Sequence, residues 1–450
     1  MKSLSAEKQY IELYDSCSKM ICRHSSDVMN APRKHAYDIL RRQGFPSKKV
    51  ERYKYTDIEA VFAPDYGVNL KRLNIPVNPY DAFKCDVPNL STSLYFVVND
   101  RFYTAALPKA PLPEGVIFGS LQSISAQKPE LVERYYNKIA DNSDSVTALN
   151  TMLAQDGVFL YVPKNVKLGR AIQIINIMRS DVDLMVNRRM LIVLEEGAEA
   201  ELLICDHTID NRKFLATQVT EAFVGANASL NIYGLEETNT QNSVVNNSYI
   251  ELQANSRLFH NMLTLHNGLT RNTLNLTLSG EGAECECYGC AIIDKEQHVD
   301  NNTLITHAAS HCQSRELYKY VLNDSSTGAF AGRVLVKKDA QKTESEMKNQ
   351  NICATKQARM YTQPMLEIYA DDVKCSHGCT VGQIDDAALF YMRQRGVSLE
   401  EAKQLLQIAF ASEVIGKIKI LPMRNRLQQL VEKRFRDELN KCGGCSFCRE

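Results

Sequence analysis

The chain has 450 residues with 53 basic and 53 acidic side chains, so its net charge is zero, and neutrality removes any global electrostatic reason to bind nucleic acid or an anionic membrane. Hydrophobic residues make up 44% and charged residues 24%, an ordinary globular composition, and the length calls for two or three structural units rather than one core. No apolar run approaches the roughly 18 residues of a membrane span.

The start, Met1 to Tyr10, lacks the apolar core of a signal peptide. A cytoplasmic location is therefore expected, with the fourteen cysteines reduced and open to metal or sulfur chemistry. Residues 1–155 read as an N-terminal helical region with a proline-rich linker. Ile11, Leu13 and Tyr14, then Ala36, Tyr37, Ile39 and Leu40, fall at helical spacing, with a break at Gly44-Phe45-Pro46. Prolines at 64, 76, 79, 88, 108, 111 and 113 then mark loops.

Residues 156–384 carry an internal period. Small pairs recur at Gly197-Ala198, Gly225-Ala226, Gln253-Ala254, Gly282-Ala283, Ala308-Ala309, Asp339-Ala340 and Tyr369-Ala370, at intervals of 26 to 31 residues. Most are followed by alternating residues, as in Ala198 to Ile204 and Ala226 to Ile232, which is the period of a strand with one face in and one out. Strands at such a period, with no helical pattern between them, predict a mainly β chain whose core is a parallel β-helix, a solenoid of stacked coils. An antiparallel sandwich also gives short, regularly spaced strands, but rarely holds one repeat length through seven units.

Within this core Cys285, Cys287 and Cys290 cluster on a predicted strand and turn, with His311-Cys312 about one coil later. Two readings stand: buried cysteines of the core, the commoner state of free cysteine, or a sulfur relay or second metal site. Further on, the run Lys374-Cys375-Ser376-His377-Gly378-Cys379 puts three soft or borderline metal ligands within five residues. Gly378 is expected to let the backbone turn sharply between them; in a strand, Cys375, His377 and Cys379 would share one side. A histidine alone in a loop is more often a structural hydrogen-bonding residue; the flanking thiols favour metal or cluster chemistry.

Residues 385–450 read as a C-terminal helical region with a Cys-rich tail. Ser398 to Glu401 form a capping box, and Ala402, Leu405, Leu406, Ala409 and Phe410 follow as one apolar stripe. Basic residues from Lys417 to Arg436 read as a solvated face. The tail carries Cys442, Cys445 and Cys448. That spacing suits zinc or a cluster completed by an outside ligand, and equally a flexible reduced tail. The chain has no Gly-x-x-x-x-Gly-Lys-[Ser/Thr], His-Glu-x-x-His or Gly-x-Ser-x-Gly run, so no bound nucleotide and no enzymatic activity are expected of it.

Residues Leu366 to Gly396 resemble the signature of the SufB/SufD family, scaffolds of iron–sulfur cluster assembly, and its SufD branch in particular. Gly332 to Thr343, Arg395 to Ala402 and Glu51 to Asp57 resemble further family blocks, with Tyr53 where tryptophan is usual; the order of blocks agrees from roughly residue 45 to 420. The resemblance implies a right-handed β-helix core. It also implies that His377 lies where the scaffold meets a SufB-type subunit and helps to build a transient iron–sulfur cluster shared with it, with Cys375 and Cys379 beside it. Cys379 stands where alanine is usual. The SufB branch has a cysteine near the position of Ile368 and a glutamate at that of Gly378, so this chain is not expected to hold a cluster alone. The C-terminal helices, through Leu405, Leu406 and Phe410, are expected to dock a SufC-type ATPase, and identical chains could pair when SufB is absent. Two rivals are a stand-alone metal-binding protein using the tail cysteines and a β-helix enzyme acting on polysaccharide.

Overall fold

A computed structural model describes residues 5–82, 92–105, 107–108 and 110–436. From Gly157 to Gly382 successive strands are dealt alternately to two sheets, so that each strand pairs in parallel with the next-but-one strand in sequence. The result is a flattened β-solenoid of about 8 turns. Ser229 lies beside Glu199 and Arg257, Arg257 beside Glu284, and Glu284 beside Gln313, so each coil is one sequence repeat. The interior is an apolar stack with members from both sheets, among them Ile192, Leu202, Leu230, Leu258 and Leu276.

One corner recurs in every coil and explains the repeat. Asn165, Gly197, Asn227, Asn255, Gly282, His311 and Lys342 have φ between 54° and 70°. Each donates its amide to a carbonyl of the following coil, as Gly197 does to Ala226 and His311 to Gln341. A small buried residue follows: Ala198, Ala228, Ser256, Ala283, Cys312 or Thr343. Of the sequence pairs, Gly197-Ala198 and Gly282-Ala283 sit on this corner, whereas Gly225-Ala226 and Gln253-Ala254 lie two positions before it. The period was readable and the phase was not, because asparagine, histidine and lysine also enter the left-handed region here.

The helical flanks lie against opposite outer faces. N-terminal residues Tyr10, Tyr37, Phe62 and Leu149 pack with Met185, Leu215 and Val245 of the first sheet. A fully buried pair, Arg189 and Glu221 at 2.9 Å, ties that region down, and Glu221 also accepts the amides of Asn137, Ile139 and Ala140. The C-terminal helices Leu399–Ile415 and Leu421–Phe435 lay Ile408, Val414, Leu427 and Val431 on Tyr233, Phe259, Tyr288 and Leu317 of the second sheet.

The proline-rich stretch is more than linker. Thr92–Val98 joins the second sheet beside Ala171–Met178, and Ile117–Ser120 runs antiparallel to Gly157–Val162. These strands, with Arg101–Phe102, close the N-terminal end of the solenoid, the usual remedy for an exposed strand edge. The other end differs. There the outermost strands, Arg359–Ile368 and Lys374–Gly382, are full-length and parallel to their inner neighbours, with no antiparallel strand laid over them among the described residues.

Candidate functional site

Lys374–Gly382 is the last strand of the second sheet. It pairs with Glu344–Cys353 in a register that sets Cys375 beside Ser345, His377 beside Met347, and Cys379 beside Asn349. Ser345, Met347 and Asn349 are buried and Lys348 is exposed, so the odd-numbered row faces the interior. Cys375, His377 and Cys379 continue that row onto a coil that no further strand covers among the described residues. Cys375 and Cys379 are half-buried and His377 is exposed. They share one side, as strand alternation requires.

The strand also corrects one expectation. Gly378 makes no turn; it pairs with Lys348 inside the ladder, and a side chain there would meet nothing within 4 Å. An extended chain sets residues i and i+2 about 6.6 Å apart, and Cys375 about 13 Å from Cys379. Such a row cannot close around one ion, and among the described residues no group of three or more His, Cys, Asp or Glu could hold a metal. What the row can do is present a thiol, an imidazole and a thiol along an edge, to a cluster whose other ligands come from outside.

Inward from each of these side chains runs a column of stacked residues. Behind Cys375 lie Ser345, Ser314 and Cys285; behind His377 lie Met347, Glu316 and Cys287. Ser314 donates to Ser345 at 2.8 Å, and the buried His307 ring sits 2.9 Å from Ser314. Burial pushes the Cys375 thiol up, against a smaller opposing effect of the Ser345 amide. Burial likewise raises Glu316 to about 7. On the other sheet Thr362 donates its hydroxyl to Cys379 Sγ at 3.1 Å. Thr362 and Glu316 went unnoticed in the sequence, because only the coil stacking brings them near the motif.

The three cysteines at 285–290 do not form one site. Cys285 and Cys287 lie in the solenoid interior, whereas Cys290 faces the opposite way, under the C-terminal helices. Burial pushes Cys290 to about 12 and Cys285 well above its usual value, which keeps both as unreactive thiols. This geometry favours the core reading. His311 is spent on the corner turn and sits 3.1 Å from Glu281. Cys442, Cys445 and Cys448 lie outside the described residues.

The helix Leu399–Ile415 is rotated from the expected stripe. Its buried residues are Ala402, Gln407, Ile408, Ala411, Val414 and Ile415, with Ser398 bonding the Glu401 amide as its cap. Leu405 and Ala409 are exposed; Leu406 and Phe410 are half-buried, and Phe410 lies under the Lys319 ammonium at 4.1 Å. The preceding helix Asp386–Gln394 buries only Leu389 and exposes Phe390 and Tyr391 at 65% and 54%. Four consecutive apolar residues, Leu389 to Met392, are a sequence signal for such exposure, since one helix turn cannot face them all inward. The basic stretch is partly inward too: Arg434 is buried, bonds the Leu265 carbonyl at 2.7 Å and pairs with Asp294 at 2.8 Å.

Residues 176–410 match the family described as the SUF system FeS cluster assembly SufBD core domain, and residues 4–174 the SufBD protein N-terminal region. The chain belongs to the SufBD family. It is 30% identical to the iron–sulfur cluster assembly protein SufD of Escherichia coli over 390 residues, covering 85% of this chain and 87% of that one. It is 26% identical to an iron–sulfur cluster assembly SufBD family protein of Synechocystis over 424 residues, 92% and 93% of the two chains. It is 23% identical to SufD of Bacillus subtilis over 403 residues, 88% and 92% of the two. A role in iron–sulfur cluster assembly follows from this membership. Among the described residues no helix is long and apolar enough to cross a membrane.

Proposed function

We propose that this SufBD-family chain is a SufD-type scaffold subunit. It pairs with a SufB-type subunit across its open terminal coil, presents His377 to a nascent cluster that is cargo of the pair, and docks a SufC-type ATPase. One observation carries the reading: the row Cys375, His377 and Cys379 lies on the solenoid coil that, among the described residues, has no further strand beyond it. A free edge of this kind is a template for another chain's strand, and the row is too extended to hold a cluster without ligands from that chain. The scaffold itself performs no nucleotide chemistry, and a reducing cytoplasm suits its thiols.

For the ATPase contact, Leu405 stays as expected and Phe390 and Tyr391 join it. Leu406 and Phe410 contribute less, being half-buried against this chain's own core. Helix Asp386–Gln394, capped by Asp385 on the Ala387 amide at 2.8 Å, starts just after the strand that bears His377. A pull on it by the ATPase would reach the terminal coil directly.

The test is co-expression with SufB-type and SufC-type subunits and a mass measurement of the purified complex. With His377→Ala the complex should assemble at full yield while cluster formation drops at least about tenfold, the size expected when an orienting ligand is lost. Normal cluster formation by that complex removes the role of His377; absence of any heterocomplex removes the scaffold reading. Leu405→Glu should abolish ATPase binding and leave SufB pairing intact. Metal analysis of the anaerobically purified protein, intact and cut after Asn440, shows whether the tail cysteines bind metal by themselves.

A further inference from the structure

The block Glu51 to Thr56 lies some 300 residues from the last coil in sequence yet is fastened to it in space. Tyr55 stacks on Tyr361 with ring centroids 4.7 Å apart and planes 16° from parallel. Glu51 accepts a hydrogen bond from Gln363 at 2.7 Å. The block is itself anchored on earlier coils: Arg52 donates to Asn302 at 3.1 Å and Asn275 at 2.6 Å, Thr56 to Asp300 at 2.6 Å, and Arg271 donates to the Arg52 carbonyl at 2.5 Å. Tyr361 and Gln363 point outward from strand Arg359–Ile368, and Thr362 between them points inward to Cys379 Sγ at 3.1 Å.

Among the described residues that strand has one strand neighbour, Thr327–Val336, so its free side would fray unless something outside held it. We propose that Tyr55 and Glu51 are positioning residues. They brace strand Arg359–Ile368 from outside, and thereby fix the Thr362 hydroxyl on the Cys379 sulfur inside. The brace itself stands on geometry alone; its bearing on cluster building rests on the function proposed above.

The test reads the thiol and needs neither partner nor cluster, so its failure is separate from failure of that function. Full-length protein is treated with iodoacetamide, and the alkylation rates of Cys379, Cys375 and Cys285 are followed by peptide mass spectrometry. Tyr55→Ala should speed Cys379 alkylation at least about fivefold as the strand frays, while Tyr55→Phe, which keeps the ring, should match the wild type. Thr362→Val, which keeps the bulk but removes the hydroxyl that favours the thiolate, should instead slow Cys379 alkylation at a fixed pH. An unchanged rate in Tyr55→Ala, or a rate in Thr362→Val that is not lower than wild type, overturns the proposal. Should Cys285 also become reactive in Tyr55→Ala, reporting general loosening, Gln363→Ala decides: a faster Cys379 with Cys285 still silent supports the brace, and an unchanged Cys379 overturns it.

Discussion

Glu236 is enclosed in the solenoid interior, where it accepts hydrogen bonds from Thr270 at 2.7 Å and Thr264 at 3.1 Å. Burial, with a smaller push from Asp206, raises its carboxyl from 4.5 to about 8. A raised folded value means that the folded state holds a proton which the unfolded state releases. The stabilisation is complete below about 4.5 and is lost as pH climbs through about 8, at a slope of at most about 1.4 kcal/mol per pH unit. Glu236→Gln removes the titration, so its melting temperature relative to wild type should rise steadily between pH 5 and pH 8. A constant difference across that range would show that Glu236 stays ionised. At this scale the sequence was informative where chemistry and alternation coincide. Cys375, His377 and Cys379 share a side because odd residues of a strand must. It was uninformative where a residue serves two geometries: Gly378 reads as a turn but stands in a ladder, and His311 reads as a ligand but makes a corner.

Among the elements, helix Leu399–Ile415 shows how an apolar stripe misleads. Its apolar residues are scattered around the helix among Glu400, Glu401, Lys403, Gln404, Gln407, Ser412 and Glu413, so two faces compete, and packing selects between them. The chosen face carries Ala411, at 0% exposure, whose small size lets the helix settle close to Tyr288 and Leu317 of the second sheet. Ile415→Ala should therefore cost about 2–4 kcal/mol, seen as a lower denaturant midpoint, whereas Leu405→Ala should change stability by less than about 0.5 kcal/mol. Equal losses for the two would put Leu405 back in the core. The strand Thr92–Val98 was hidden for a different reason. Its Leu-Tyr-Phe-Val-Val run, Leu94 to Val98, has apolar neighbours on both faces, so no alternation announces it among the surrounding prolines.

For the molecule as a whole, the asymmetry of its two ends decides its associations. Antiparallel strands close the N-terminal end, while the last coil exposes Tyr361, Ile368, Tyr369 and Val381 beside strand edges that have no further partner strand among the described residues. Without a SufB-type partner the isolated chain should dimerise end to end, detectable by sedimentation as a concentration-dependent rise in mass. Val381→Lys should return it to monomer, because a charge in the inward row of that coil would be trapped at the joint. A strictly monomeric wild type across the micromolar range would locate pairing elsewhere. The solenoid itself was legible because one physical constraint, a coil of fixed perimeter, is imposed again and again on the chain. The open end was not legible, since nothing in a local pattern announces which coil is the last.

The repeated corner, in which a left-handed residue hands its amide to the coil that follows, has a consequence for the order of events during synthesis. Each coil is finished only when the next has been made, so the stack can zip behind the ribosome with loops of one repeat. Among the described residues the terminal coil receives no such completing layer. It is the last to consolidate and the first to loosen, and under the function proposed above its inward row of thiols and imidazole stays uncovered until a second polypeptide supplies the missing rung.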